Sequence, residues 1–508
     1  MRCFIHLLLV CMCCLACTCY GQEAFFDPTF GVGGKTIVPI SSTSEGSFSS
    51  IALQPDGRII AAGIIMGKAT IARFKENGTP DTSFATNGFY TGPNYSRIYD
   101  LALQPDGKIV AAGNVMTSFG NDDFLAIRLT SSGSPDLTFG STGIVNIEVS
   151  GYNDRCHSVA LQGDGKIVMA GEGGSFKVGV SRLQATGIVD SSFGVNGVVV
   201  DIGAAILGDG LAIAPDGKIV VGGHGLATQD YALMVIRYST DGTRDTSFDH
   251  TGLVYTIAGE PESNFGASLS VQPDGKILMA GTGSFTPNGA NFVVVRYNSD
   301  GSLDPTFGSS GIAHVDVPGG NDALGRMYLK PDGKMLLVGS SESTSGKKDI
   351  AIACMKDNGI KDDLFGSAGA IVTAIRDISD YGADIVLQTD NKVVIAGTSF
   401  ENIGSTWYGE PAIARYMTIV SGIDVIVETE NSRIVLYPNP ASTETNVISP
   451  RSEKIVSICA FDSQGRKIEL KIQVQGTINI DQLPSGHYTF KIVFVDGSVS
   501  VEPVVIKK

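Results

Sequence analysis

The stretch Ala102-Leu103-Gln104-Pro105-Asp106-Gly107-Lys108-Ile109-Val110-Ala111-Ala112-Gly113 constrains this chain more than any other, because versions of it keep returning. Its Pro-Asp-Gly-Lys centre, whole or degenerate, stands at Pro55 to Arg58, Pro105 to Lys108, Gly163 to Lys166, Pro215 to Lys218, Pro273 to Lys276, Pro331 to Lys334 and Thr389 to Lys392, seven copies in all. Repeats of roughly 50 to 60 residues that cannot bury their own faces must stack on one another. The centre is a turn with a mechanism. Proline presets φ at the first central position, and the glycine (Gly57, Gly107, Gly165, Gly217, Gly275, Gly333) takes the positive φ of a bulged type I hairpin.

A second block is spaced still more rigidly. It reads Arg73, Gly78, Asp81, Phe84, Gly88, and the same order recurs around Asp136, Asp190, Asp245, Asp304 and Asp362, with Cys354 replacing arginine in the sixth copy. Asp-x-x-Phe in every unit reads as blade structure, because a reaction centre would occur once; the aspartate suits a turn and the arginine can pair with it. Four strands fit each unit. In the one opening at Gly143 they are Gly143 to Ile147, Ser158 to Leu161, Lys166 to Ala170 and Val178 to Leu183. Such sheets could build an open solenoid or a closed ring. The ring is favoured because the chain enters mid-unit at Asp27-Phe30-Gly34 and leaves mid-unit after Arg415, so the two ends complete a seventh unit and no edge stays bare.

These motifs resemble the delta-60 repeat β-propeller family over roughly residues 27 to 417. The resemblance implies an all-β, seven-bladed β-propeller of four-stranded blades and little more, since that family has no settled biochemical function. The expected organisation is a signal peptide at 1–21, the propeller at 22–419, a linker at 420–433 and a small antiparallel β-sandwich at 434–508.

The leader reading rests on Met1-Arg2 followed by the apolar run Phe4 to Cys17, too short to span a bilayer. Acylation at Cys17 is the alternative. Six of nine cysteines lie in that leader, and Cys156, Cys354 and Cys459 make no disulfide framework. A net charge of −15 disfavours nucleic acid as a partner. No later run is long enough for a membrane span, no cofactor is implied, and the chain reads as a monomer.

The tail carries Tyr437-Pro438-Asn439-Pro440, a turn at Gly465, then Leu483, Gly486 and Tyr488, and lysines at the stop, including Lys507. Alternating strands and hairpin turns make it a sandwich. It looks like the C-terminal sorting domain of the type IX secretion system of Bacteroidetes-type bacteria. That resemblance implies recognition of residues 434–508 by the translocon, removal on export, and a secreted or cell-surface destination.

Length variation falls in two connections of each unit, strand one to two and strand three to four, which emerge on the same edge of an up-and-down sheet. One ring face is then built from near-identical turns and the other from divergent loops, where binding is expected. Candidate residues there are Tyr95, Tyr152, Asn153, Asp154, Phe265, Tyr381, Trp407 and Tyr408. Asn121-Asp122-Asp123 and Asn153-Asp154 are the nearest approach to a calcium loop, and His157 and His224 fall in divergent loops without metal-ligand spacing. No catalytic constellation is recognisable. The leading function is therefore a non-enzymatic scaffold binding glycan, peptide or protein; the alternatives are a hydrolase or lyase acting on an extracellular polymer, or a structural adhesion or surface-layer component. Converging carboxylates or histidines at the channel mouth favour an enzyme, and a shallow aromatic face favours binding.

Overall fold

In the computed structural model, the described residues are 25–40, 45–117, 120–174, 177–201, 207–227, 229–260, 264–285, 289–343, 345–403 and 406–417, and in the tail 435–437, 444–448, 455–461, 466–470, 477–480, 482–494 and 499–506. The expected signal peptide lies outside them, as do Pro438, Asn439, Pro440, Gly465 and Lys507. The chain divides into two compact units between Ile419 and Val420.

The first unit holds seven four-stranded antiparallel sheets. Their first strands, Gly46–Leu53, Ser96–Leu103, Asp154–Leu161, Leu207–Ile213, Asn264–Val271, Asp322–Leu329 and Asp380–Leu387, each touch the next around the ring, and the last touches the first. They therefore line the channel, and the sheets are the blades of a propeller. We number the blades 1 to 7 in that order. The strand expected to open each unit instead closes the preceding blade: Ile144–Ile147 pairs with Asp122–Leu129 as the outer edge of blade 2. Closure is by the chain's own beginning, since Lys35–Ile37 pairs with Thr406–Tyr416 and supplies the outer strand of blade 7.

Seven apolar clusters fill the seven gaps between neighbouring blades. Between blades 1 and 2, for example, Ile60, Ile71 and Phe84 pack on Ile98, Leu101 and Ile109. The middle strands are buried on both faces, as the run of fully covered residues in Ile109–Met116 shows. The hairpin glycine does what its turn requires, with φ of 82° at Gly107, and Asn391 takes φ of 63° in the degenerate seventh copy.

The Arg and Asp of the second block meet in every blade that has both. Arg73 Nε lies 2.8 Å from Asp81, Arg182 Nε 2.8 Å from Asp190, and Arg415 Nε 2.9 Å from Asp27 across the closure. Each guanidinium also covers its own phenylalanine, as Arg128 does Phe139 at 4.6 Å, and reaches a carbonyl of the next blade, as Arg73 does Ser131 at 2.6 Å. That phenylalanine in turn fills the space over the next blade's glycine: a Cβ on Gly133 would stand 2.8 Å from Phe84. In blade 6, where Cys354 replaces arginine, Lys334 Nζ meets Asp362 at 2.7 Å, and burial with the Asp362 charge pushes the Cys354 thiol up to about 11.

The second unit contains a three-stranded and a four-stranded antiparallel sheet. Ile458, Ala460, Phe490 and Ile492 of the larger sheet share a buried core with Ile480, Leu483 and Tyr488. The Tyr488 hydroxyl donates to the Pro484 carbonyl at 3.1 Å, which ties down the Leu483 to Tyr488 segment.

Removing one blade arginine leaves a buried carboxylate without its ion partner. Arg182→Ala is expected to cost about 3–5 kcal/mol in denaturant unfolding, and a cost below about 1 kcal/mol would show that the pair is ornamental. A second expectation concerns Asp322, which is buried and accepts the Val317 amide at 3.0 Å. Burial raises its carboxyl to about 7, so the folded state gains protons relative to the unfolded one, and stability falls as pH rises from about 4 to about 7. Blade 5 has Asn264 at the same place, accepting the Ala258 amide. Asp322→Asn is thus expected to stabilise by about 1–3 kcal/mol at pH 8, with the gain vanishing toward pH 4 in thermal melts.

Candidate functional site at the divergent channel mouth

Every innermost strand carries a β-bulge at the same place, between Phe48 and Ser50, Ile98 and Asp100, Cys156 and Ser158, Gly208 and Gly210, Gly266 and Ser268, Leu324 and Arg326, and Gly382 and Asp384. A bulge inserts one residue without a cross-strand partner and re-aims its side chain. The residues just after the bulge form a polar belt inside the channel. Arg326 lies 3.0 Å from Asp100 and 3.4 Å from Asp384, while Ser50 donates to Asp384 at 2.9 Å and Ser158 to Asp100 at 2.9 Å. Burial raises the Asp384 pKa, against the opposing pull of Arg326. This belt joins blades 1, 2, 3, 6 and 7 and leaves a cavity of about 380 Å³ beneath it, toward the constant turns. Its charges are spent on one another, so its role is closure.

The bulged residues themselves are Ser49, Tyr99, His157, Asp209, Ala267, Gly325 and Ala383. Four are small; the three that are not stand in consecutive blades. They meet. Tyr99 stacks on His157 with centroids 4.8 Å apart, and Asp209 lies 3.7 Å from His157 Nδ1 and 3.3 Å from His224 Nδ1. Arg97 covers the other end of the array at 5.1 Å from the Tyr99 ring and donates to Ser47 at 3.0 Å, and His224 is followed by Phe265 at 5.3 Å. An arc from Arg97 through Tyr99, His157, Asp209 and His224 to Phe265 thus crosses blades 2 to 5. Burial lowers the His157 pKa, with Asp209 working against it, so its ring is neutral at pH 7. Its Nε2 is buried and has no hydrogen-bond partner among the described residues.

Of the residues expected from the loops, Phe265 belongs to the arc and Tyr381 to a second aromatic pair with Phe400, at 5.6 Å. Tyr95 and Tyr152 are exposed on the same ring face. Asp154 is fully buried and accepts the amides of Val149 and Ser150 at 2.8 and 3.0 Å, so it shapes its loop. Asn153 accepts the Asp122 amide at 3.0 Å. Trp407 and Tyr408 are neighbours in an extended hairpin of blade 7, where Asn402 faces Trp407 and Glu401 faces Tyr408. Strand alternation sends them to opposite sides, and only the Trp407 side is shared with Phe400 and Gly409, which border a groove of about 660 Å³ with Ser47, Ile64 and Arg97. Among the described residues, no three His, Cys, Asp or Glu side chains are arranged to hold a metal ion. Arg97 and Tyr99 fall in the divergent stretch Thr91 to Asp100 but are not singled out by the sequence, and Asp209 lies outside the expected loops; a comparison of the column eight residues before each turn glycine would have singled out Tyr99 and Asp209.

Asp209 supports protonation of His157, so Asp209→Asn is expected to lower the His157 pKa further. Histidine-resolved NMR titration reads this directly, and a His157 that titrates at or above about 6.5 in the parent protein would contradict the buried geometry.

The repeat region matches the family described as a domain of unknown function (DUF5122) beta-propeller at residues 54–84, 104–139, 162–193, 214–248, 272–307 and 330–365. Residues 435–507 match the secretion system C-terminal sorting domain. A search of curated proteins finds no match. Among solved structures, a catalytically inactive virginiamycin B lyase from Staphylococcus aureus with quinupristin is similar at 11% identity and TM-score 0.41, covering 75% of this chain and 98% of its own. The extracellular domain of a hybrid two-component system from B. thetaiotaomicron is similar at 10% identity and TM-score 0.39, covering 94% of this chain and 58% of its own. Neither bears on what this chain binds. The chain carries DUF5122 beta-propeller repeats and a secretion system C-terminal sorting domain, and that domain marks it for export by the type IX system to the cell surface or the extracellular space.

Proposed function

We propose that the exported propeller is a binding scaffold that takes a glycan, peptide or protein at its divergent face. One observation carries this reading. A position repeated in all seven blades holds small residues in four and a touching Tyr99, His157 and Asp209 in three consecutive ones. Turn, ion-pair and packing residues recur from blade to blade; this array occurs once and, unlike the belt of Arg326, Asp100 and Asp384, whose charges are paired with one another, it leaves His157 Nε2 without a protein partner among the described residues. Support also comes from the two constant connections, which leave all the variable loops on this face.

The convergence of His157, Asp209 and His224 favours a second reading, an enzyme working by acid–base chemistry on an extracellular polymer. A neutral imidazole oriented by a carboxylate, with its other nitrogen available, is a usable general base. The two readings differ in whether the ligand survives.

Glycan and protein arrays probed with the purified protein test the scaffold. Tyr99→Ala and His157→Ala are expected to weaken capture of the best ligand at least about tenfold at unchanged melting temperature. Undiminished capture by both variants would remove the site from consideration, and cleavage of the ligand on incubation would replace the scaffold by the enzyme.

A further inference from the structure

The large exposed aromatic side chains of the propeller lie on one of its two faces. Among the described residues, the large exposed aromatics are Tyr95, Tyr152, Phe265, Tyr381 and Trp407. All five lie on the divergent face, in the connections that enter the innermost strands, at the starts of those strands, or in the blade 7 hairpin. The exposed large side chains of the constant face, such as Val32, Leu137, Ile188, Val195 and Leu364, are aliphatic. The divergent face also exposes Met66, Met116, Leu226 and Ile257, so the two faces differ in their aromatics alone. A planar, amphipathic ring offers what an aliphatic chain cannot: a flat face for C–H groups.

Two further features define what such a face can accept. Polar atoms buried beside the arc lack protein partners among the described residues: Arg97 Nε, Asn114 Oδ1 and His157 Nε2. Arg97 Nε needs an acceptor, Asn114 Oδ1 a donor and His157 Nε2 either according to its tautomer, and a hydroxyl is both at once. The charges disfavour a polyanion. Arg155 at the mouth is already held between Asp122 at 3.4 Å and Glu172 at 3.7 Å. Burial and the nearby carboxylates of Asp154, Glu148 and Asp122 raise the Asp123 pKa, the mark of a locally negative potential. With a net charge of −15 on the chain, an acidic polymer would be repelled on approach.

We propose that the divergent mouth binds a neutral polysaccharide, whose sugar rings stack on Phe265 and Tyr381 while their hydroxyls engage Arg97, Asn114 and His157. This rests on the divergent-face reading above and narrows its ligand class. The sugars sit at the mouth over the arc, and the chain runs outward toward Trp407.

Affinity electrophoresis of the full chain in native gels tests it, with laminarin, xylan, mannan or dextran as neutral polymers and polygalacturonate or alginate as acidic ones. Retardation by at least one neutral polymer and by neither acidic one is expected, with affinity reduced roughly tenfold in Phe265→Ala and in Tyr381→Ala and unchanged in Leu137→Ala. Melting temperatures of the variants report whether each has folded. Retardation by no neutral polymer, or stronger retardation by an acidic one, overturns the ligand class, as does preferential capture of peptides on an array. Neutral-polymer binding that persists in both folded mouth variants overturns instead the divergent-face reading on which the class depends.

Discussion

In six of the seven blades, the arginine at the end of the third strand holds the ring together. Its guanidinium pairs with an aspartate of its own blade, lies on a phenylalanine and reaches a carbonyl of the next blade, so one side chain satisfies three neighbours at once. The same aspartate accepts from its turn, as Asp136 does from the amide and hydroxyl of Thr138 at 3.1 and 2.7 Å. Burial alone would oppose that charge, yet the Thr138 bonds and the Arg128 and Lys108 charges outweigh it and hold the carboxyl at about 2. A buried ion pair is a net gain only when its remaining bonding sites are met. Here they are met by a turn that the blade needs in any case.

That arrangement divides the labour between the two faces. Turns, ion pairs and phenylalanines occupy the constant side, and the repeated Arg, Phe and Gly there answer to a neighbouring blade. The bulged residue of each innermost strand is under less constraint, except in blade 6, where a Cβ on Gly325 would stand 2.6 Å from the Gly382 carbonyl of the next blade. It lacks a cross-strand partner and sits at the channel, so its identity can change without disturbing the Arg–Asp pair or the apolar gap. Tyr99, His157 and Asp209 use that freedom, and the belt of Arg326, Asp100 and Asp384 behind them closes the channel.

Much of the fold was legible in the residues, because turns and close packing have strict local requirements. Gly107 can be read as a positive-φ position, and the split unit at Asp27 and Arg415 can be read as a closure. The strand grouping was not. Gly143 to Ile147 and Ser158 to Leu161 look alike in composition, and only the hydrogen-bonded register shows that they belong to different blades. The site was harder still. A bulge has no residue signature of its own, and the meeting of Tyr99, His157 and Asp209 depends on the ring bringing distant repeats side by side. Trp407 and Tyr408 mark the opposite limit: adjacent in the chain, they are parted by the pleat.

The outer strand of blade 7 comes from Lys35–Ile37, whose partners Ala412 to Ala414 lie at the far end of the repeat region. The ring therefore cannot close until the last blade has been made. Loop entropy grows only slowly with length, so the span is affordable in equilibrium, but contacts of such separation form late. A nascent or incompletely delivered chain would leave Lys35–Ile37 without its partner strand, open to pairing with any extended segment. Passage across two membranes thus has a built-in vulnerable interval, which ends when the first strand finds the last.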